Sequence, residues 1–329
     1  MGRLRRLMDH PATRVAGPAL GLACAGSFLA GIDTHEVAEA IHAVAWWWLV
    51  PVLIFGCVNL WLRAMRWGVL LATPAPLPTS ALLGVGVMAG LAGLGLPARG
   101  GDAVKVVLAS RLPGVKLADI AAAELLERLV DGAIFGLFIA GAALLGGVAG
   151  WPLTLGLGAL ALYVPILVTI PLVGWYLGAS VMARAAGERI RWHPLRILGI
   201  ATAAIERRGY RLIARAARLS LAAWAAEAAS YYFLLVAFGW LAPPTLPFAA
   251  VGVANFAFAV PGAPAGVGTF HLPVSSLLAD HFGAEPGLAA AYAVVLHLAV
   301  LAPVPLVWLM LAVRSRWLAA MAPAPVRVS

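Results

Sequence analysis

Charge is scarce in this chain. Of 329 residues, 23 are Lys or Arg and 14 are Asp or Glu, so charged residues make up only 11%, against roughly a quarter in soluble domains. A soluble core of this length would interleave its apolar runs with long polar faces. Here 63% of the residues are hydrophobic, and several stretches approach the ~20 residues that span a bilayer's hydrocarbon. These shortages exclude a soluble fold and leave an all-α polytopic membrane protein in a single transmembrane domain. Cysteine is nearly absent too. Cys24 and Cys57 both lie inside apolar runs and read as small buried hydrophobes rather than a disulfide or a metal pair. No serine or cysteine has a recognisable base nearby in sequence, and His271, His281 and His297 lack metal-ligand spacing. The expectation is a non-enzyme that holds no metal and no cofactor. The formal charge of +9 does not point to nucleic acid, because the basic residues flank apolar runs in short clusters. That is the pattern of cytoplasmic loops meeting anionic lipid.

These clusters orient the chain. Arg3, Arg5, Arg6 and Arg14 hold the N-terminus inside, before a retained first helix over 15–31. An acidic stretch with Asp33, Glu36 and Glu39 lies outside. A second span over 45–66 opens on Trp46, Trp47 and Trp48, an interfacial belt. Further spans are predicted over 117–147, 153–177, 219–241 and 288–313. The segment 184–218, with nine Arg and two Glu, reads as the main cytoplasmic loop, an amphipathic helix on the inner surface. Both termini fall inside, which fits a bacterial cytoplasmic (inner) membrane.

Two apolar segments break this pattern. The run over 80–112 is interrupted by Leu96-Pro-Ala-Arg-Gly-Gly-Asp102 and has basic residues at both flanks. The run over 247–282 is interrupted by Pro261-Gly-Ala-Pro-Ala-Gly-Val-Gly-Thr-Phe270 and has none. Each reads as a re-entrant hairpin, the two entering from opposite faces. Paired Gly/Pro-interrupted segments in two halves of a membrane protein point to a binding site, since irregular backbone at membrane depth must line protein or water. In the first loop Asp102 is placed to cap a helix from Ala103, and in the second Thr269 to cap one from Phe270. Both helix ends would then aim at the membrane middle, where an anion is stabilised, with Gly266 and Gly268 opening the backbone and Arg99 offering a fork for phosphate. The alternative is that these glycines only permit tight helix packing.

The remaining polar residues fall in stripes. Asn59, Arg63 and Arg66 lie at i, i+4 and i+7, and Glu124, Glu127, Arg128 and Asp131 at i, i+3, i+4 and i+7, so each set shares one helix face. A charge at the bilayer centre costs roughly 2.5–3.5 kcal/mol on insertion scales and normally pairs inside a bundle. Glu127 and Asp131 are therefore expected to meet Arg63 and Arg66 or Arg99 and Lys105, either as a structural ion cluster or as the wall of a polar cavity. Arg63 and Arg66 could instead snorkel to the headgroups. Glu227 is a lone acid in its span, suited to a coupling proton or to a hydrogen bond with a neighbouring helix.

Four blocks in order, Arg63-Ala-Met-Arg-Trp-Gly-Val-Leu-Leu71, Leu96–Asp102, Glu127-Arg-Leu-Val-Asp131 and Pro261–Phe270, resemble the lysylphosphatidylglycerol synthase transmembrane-region family, also called flippase-like membrane proteins. The resemblance runs from about Trp46 to Val313. It implies movement of an anionic or aminoacylated phospholipid, or a related lipid, between leaflets, without a soluble aminoacyl-transfer domain. The site expected from all of these readings comprises Arg63, Arg66, Arg99, Asp102, Lys105, Glu127, Arg128, Asp131, Gly266, Gly268, Thr269 and His271. The expected partners are membrane lipids with anionic headgroups and a lipid-synthesising enzyme, with an oligomer open. Two rival readings stand beside this one: a non-transporting membrane partner of a lipid-modifying enzyme, and a membrane-embedded transferase acting on a lipid phosphate.

Overall fold

Apolar runs of this length can satisfy their backbone in lipid only as helices, and the computed structural model contains helices and no strand among the residues it describes: 11–71, 73, 75–96, 100–177, 210–259 and 264–321. In chain order the helices are α1 (Pro11–Ala30), α2 (Thr34–His42), α3 (Leu49–Leu71, entered through a 3-10 turn at Trp46–Trp48), α4 (Thr79–Gly95), α5 (Gly100–Ala109), α6 (Leu117–Leu145), α7 (Trp151–Leu177), α8 (Tyr210–Ala237), α9 (Leu246–Ala259), α10 (His271–Ser276), α11 (Pro286–Leu301) and α12 (Pro303–Met321). Among the described residues five helical stretches are long and apolar enough to cross a membrane: Trp46–Leu71, Leu117–Leu145, Trp151–Thr169, Arg211–Ala237 and Pro286–Arg314. The protein is a multi-pass membrane protein.

Several boundaries differ from the sequence reading, each for a physical reason. The span expected to end at Arg66 continues to Leu71, because Arg66 faces the interior and not the headgroups. The span expected from Leu219 starts at Tyr210. Arg211, Arg215 and Arg218 share one helical face and extend the helix as exposed side chains, so this part of the expected loop is helical; residues 178–209 lie outside the described residues. The last span divides at Ala302, ahead of Pro303, whose ring cannot continue the helical ladder. The acidic stretch also forms helix α2, with the Asp33 side chain accepting from the His35 N–H at its start. That helix packs on α11.

Four packed pairs position the interior. Helix α3 lies along α8, α6 lies along α7, and α9 packs against both α6 and α8. The α6–α7 contact is made by small residues: a Cβ on Gly136 would stand 2.9 Å from the Ala159 Cβ and 3.0 Å from the Leu160 nitrogen. Such close approach of backbones is how helices gain contact in lipid, where burial of apolar surface drives little. The α4–α5 pair forms a tight helical hairpin against α3 and α12. Its closure explains Gly101, whose added Cβ would lie 2.5 Å from the Ala89 carbonyl oxygen. Trp224, Tyr231, Phe270 and Tyr292 are wholly or almost wholly buried in the main apolar core between α8, α9 and α11. Large apolar side chains on α7, among them Leu157, Leu162 and Val168, are exposed on the outer face.

Candidate functional site

The stripes on α3 and α6 meet. Arg66 is fully buried and donates from one guanidinium nitrogen to Glu127 and from the other to Asp131 at 2.6 Å and to the Ser220 hydroxyl at 2.8 Å. The indole Nε1–H of Trp224 donates to the same Asp131 oxygen at 2.7 Å. One cation thus ties α3 to α6 and α8. A buried guanidinium is tolerable only with such satisfaction, because stranding either charge costs several kcal/mol. The second helical hairpin arm, α5, brings Lys105 to this cluster. Its ammonium lies 3.0 Å from Glu127 and 2.7 Å from Glu124, above the Trp67 ring at 4.7 Å. The Trp67 indole donates to Glu124 at 3.1 Å. Further out, the half-exposed Arg128 pairs with Asp102 at 2.7 Å. This pairing bears out the expected meeting of the Glu127/Asp131 stripe with Arg66 and Lys105.

In front of these pairs opens a cavity of about 540 Å³, bounded by α3, α4, α5, α6, α7, α8, α9 and α12. Its ionic wall carries Arg63, Asp102, Lys105, Glu124, Glu127, Arg128 and Asp131, and its apolar wall carries Phe135, Tyr163, Phe256 and Phe258. Four cations, Arg63, Arg66, Lys105 and Arg128, stand against four acids, Asp102, Glu124, Glu127 and Asp131. Three of those cations have carboxylate partners within 4 Å. Among the described residues Arg63 has none. Its guanidinium lies over the Trp224 ring, 5.1 Å from the centroid, an attraction that leaves its N–H donors uncommitted.

The two loops depart from the capping scheme. Helix α5 begins at Gly100, so Asp102 sits within its first turn, and its carboxylate is engaged by Arg128 instead of capping a helix from Ala103. Helix α10 begins at His271, and the Thr269 hydroxyl donates back to the Gly266 carbonyl at 3.2 Å, so it caps no helix from Phe270. Arg99 lies outside the described residues. Gly266 and Gly268, at φ +75° and +85°, do permit the loop's turn, and Gly268 packs directly on Gly21 and Ala25 of α1. Gly266, Gly268, Thr269 and His271 are therefore not brought to the cavity. Gly266 lies against Phe258 of α9, and Gly268 and His271 lie by α1 and α11, while the end of α9, at Phe258 and Ala259, reaches the cavity wall.

Beside this loop His271, at the start of α10, meets His297 of α11. His297 Nδ1 is 3.1 Å from His271 Nε2, and His297 Nε2 is 2.8 Å from the Ala265 carbonyl. The Gly268 N–H points at His271 Nδ1 at 3.4 Å. One assignment satisfies all three contacts with both rings neutral: His271 accepts at Nδ1 and donates from Nε2, and His297 accepts at Nδ1 and donates from Nε2 to Ala265. Ala265, at φ +57°, is the strained residue this donation holds in place. Phe270 stacks on His297 at 4.7 Å and Phe28 of α1 covers His271.

Sequence reasoning did not find Ser220, Trp224, Asn255 or Tyr163. All four lie in helices with no charged stripe at their positions, and a mid-span Trp three residues from Glu227 was the only available signal. Among curated proteins none matches the chain. A family profile described as the lysylphosphatidylglycerol synthase TM region matches residues 14–307, which contain every residue of the ion cluster and of both broken segments. On this match the chain belongs to the lysylphosphatidylglycerol synthase transmembrane-region family.

Proposed function

We propose that the protein is a lipid translocase of the inner membrane, whose cavity admits the headgroup of an anionic or aminoacylated phospholipid and passes it between leaflets. The observation that carries this reading is Arg63. Among the described residues it is the cavity's uncommitted guanidinium beside neighbours that are already paired, and a guanidinium presents a fork of donors matched to two phosphate oxygens. The paired residues Lys105–Glu124 and Arg128–Asp102 would open to a headgroup and close behind it, exchanging one charged partner for another without leaving a charge stranded. The phenyl and phenol groups opposite would face the glycerol and upper chain.

The lengths of the broken segments support the re-entrant reading. At about 1.5 Å per residue, α4 with 17 residues and α9 with 14 extend roughly 26 Å and 21 Å, short of the ~30 Å of hydrocarbon. In this arrangement both hairpins dip in from opposite faces with the termini cytoplasmic. The tight mutual pairing around Arg66 also suits the rival reading of a non-transporting partner to a lipid-modifying enzyme, in which the cluster is structural. A phosphatidylglycerol with a photoactivatable headgroup separates the two. Translocation predicts crosslinks to cavity residues such as Leu83 or Phe256; crosslinks confined to the outer face of α7 would favour the partner reading.

A further inference from the structure

One buried acid takes no part in the ion cluster. Glu227 is 7% exposed on α8, one turn from Trp224, and no Lys or Arg stands within ion-pairing distance of it among the described residues. Its hydrogen bonds both fall on one oxygen: the Tyr231 hydroxyl at 3.2 Å and the Asn255 amide at 3.0 Å donate to Oε1. No described donor reaches Oε2. This is the arrangement of a carboxyl group whose carbonyl oxygen is satisfied and whose other oxygen is free to carry a proton. Asn255 also lines the headgroup cavity, so the acid lies directly behind its wall. The groups around it are Arg63 from α3, which lies over the Trp224 ring one turn away, Asp131 from α6 and Asn255 from α9, with Tyr231 on its own helix. Of these the sole cation is Arg63, the same guanidinium that faces the cavity.

We propose that Glu227 is a proton-binding site coupled to the headgroup cavity, so that a phosphate held by Arg63 and a proton held by Glu227 are bound and carried together. Glu227 and the phosphate compete for one positive charge. With the cavity empty, the Arg63 guanidinium, held over the Trp224 ring one turn along α8, stabilises an ionised Glu227 from beyond ion-pairing distance. A phosphate drawn onto Arg63 takes that compensation away, and an uncompensated buried carboxylate is too costly to keep, so Glu227 accepts a proton from water at Oε2. Coupling of this kind is reciprocal: proton binding must favour phosphate binding by the same factor. A proton gradient then supplies direction to lipid movement. This rests on the translocation reading above and assigns its energy source.

The test uses the full chain in proteoliposomes of phosphatidylglycerol and phosphatidylcholine, with labelled phosphatidylglycerol as the reporter and a pH dye inside. Wild type should exchange the anionic lipid with a rate that changes up to about tenfold per pH unit, the limit for one coupled proton, and lipid movement should drive proton movement. Glu227→Gln keeps an acceptor for Tyr231 and Asn255 and should exchange without pH dependence or proton flux. Wild-type exchange that is independent of pH and moves no protons overturns the coupling while leaving translocation intact. No exchange from folded wild type overturns the translocation reading itself. If Glu227→Gln does not fold, binding of short-chain phosphatidylglycerol to wild type in weakly buffered detergent decides: uptake near one proton per lipid supports the coupling, and none overturns it.

Discussion

Removing Arg66 gives the sharpest view of the ion cluster, because its two acids have unequal reserves. In Arg66→Met the side-chain volume is largely kept, but Glu127 and Asp131 both lose their buried guanidinium partner. Glu127 retains the Lys105 ammonium at 3.0 Å. Among the described residues Asp131 retains as hydrogen-bond donor only the neutral Trp224 indole at 2.7 Å. Breaking a buried pair on one side costs about 3–5 kcal/mol, and the structure assigns most of that to Asp131. Neutralising the stranded acid should therefore restore much of the loss. Arg66→Met/Asp131→Asn should be more stable than Arg66→Met by about 2 kcal/mol or more, since the amide oxygen introduced by the second substitution still accepts from Trp224. Arg66→Met/Glu127→Gln should recover little, because it strands Lys105 in part. Thermal unfolding in detergent, followed for all four proteins of each double-mutant cycle, reads these differences directly. At a few degrees per kcal/mol, the single mutant should melt on the order of 10 °C low. An Arg66→Met protein as stable as wild type, or rescue by Glu127→Gln in place of Asp131→Asn, would refute the assignment.

Arg63→Gln should leave the stability within about 1 kcal/mol of wild type, as a partly exposed cation–π contact contributes that little. It should nevertheless weaken phosphatidylglycerol binding about ten- to hundredfold, matching the ~1.5–3 kcal/mol of a charged hydrogen bond; native mass spectrometry of lipid-titrated protein checks both folding and binding. Asp102→Asn breaks a half-exposed pair and should cost no more than about 1 kcal/mol, measured in the same thermal assay. His297→Phe fills the stack on Phe270 but strands the His271 Nε2–H and the Ala265 carbonyl, a loss of about 1–3 kcal/mol for each group, and should speed proteolysis within 264–271. Gly136→Leu should overfill the α6–α7 contact by about 1–3 kcal/mol and lower the melting temperature without altering lipid selectivity.

Much of this site was legible in the amino-acid order alone. The i, i+4, i+7 spacing of Asn59, Arg63 and Arg66 and the matching stripe through Glu124, Glu127, Arg128 and Asp131 fixed which faces had to meet, because charges at membrane depth have few other places to go. The two Gly/Pro breaks were visible for the same reason. The third wall was not. Ser220 and Trp224 reach Arg66 and Asp131 from a helix whose sequence there is otherwise apolar, and only packing of α8 along α3 brings them in. The loop readings missed for a different reason. A capping pattern is local, and the carboxylate of Asp102 found a guanidinium 26 positions away that outweighs a backbone cap. His271 and His297, also 26 residues apart, carry no spacing signal at all; their pairing exists because α10 folds back on α11.

On the proposed function the cavity carries a lipid headgroup across the membrane, with Arg63 holding its phosphate. Leaflet exchange of labelled phosphatidylglycerol and of a labelled neutral lipid, measured in proteoliposomes for wild type and Arg63→Gln side by side, tests it most directly. Wild type should exchange the anionic lipid faster than the neutral one, and the variant should lose about tenfold or more of that rate. Equal exchange of both lipids, an Arg63→Gln protein at full rate, or no exchange from folded wild type would contradict it.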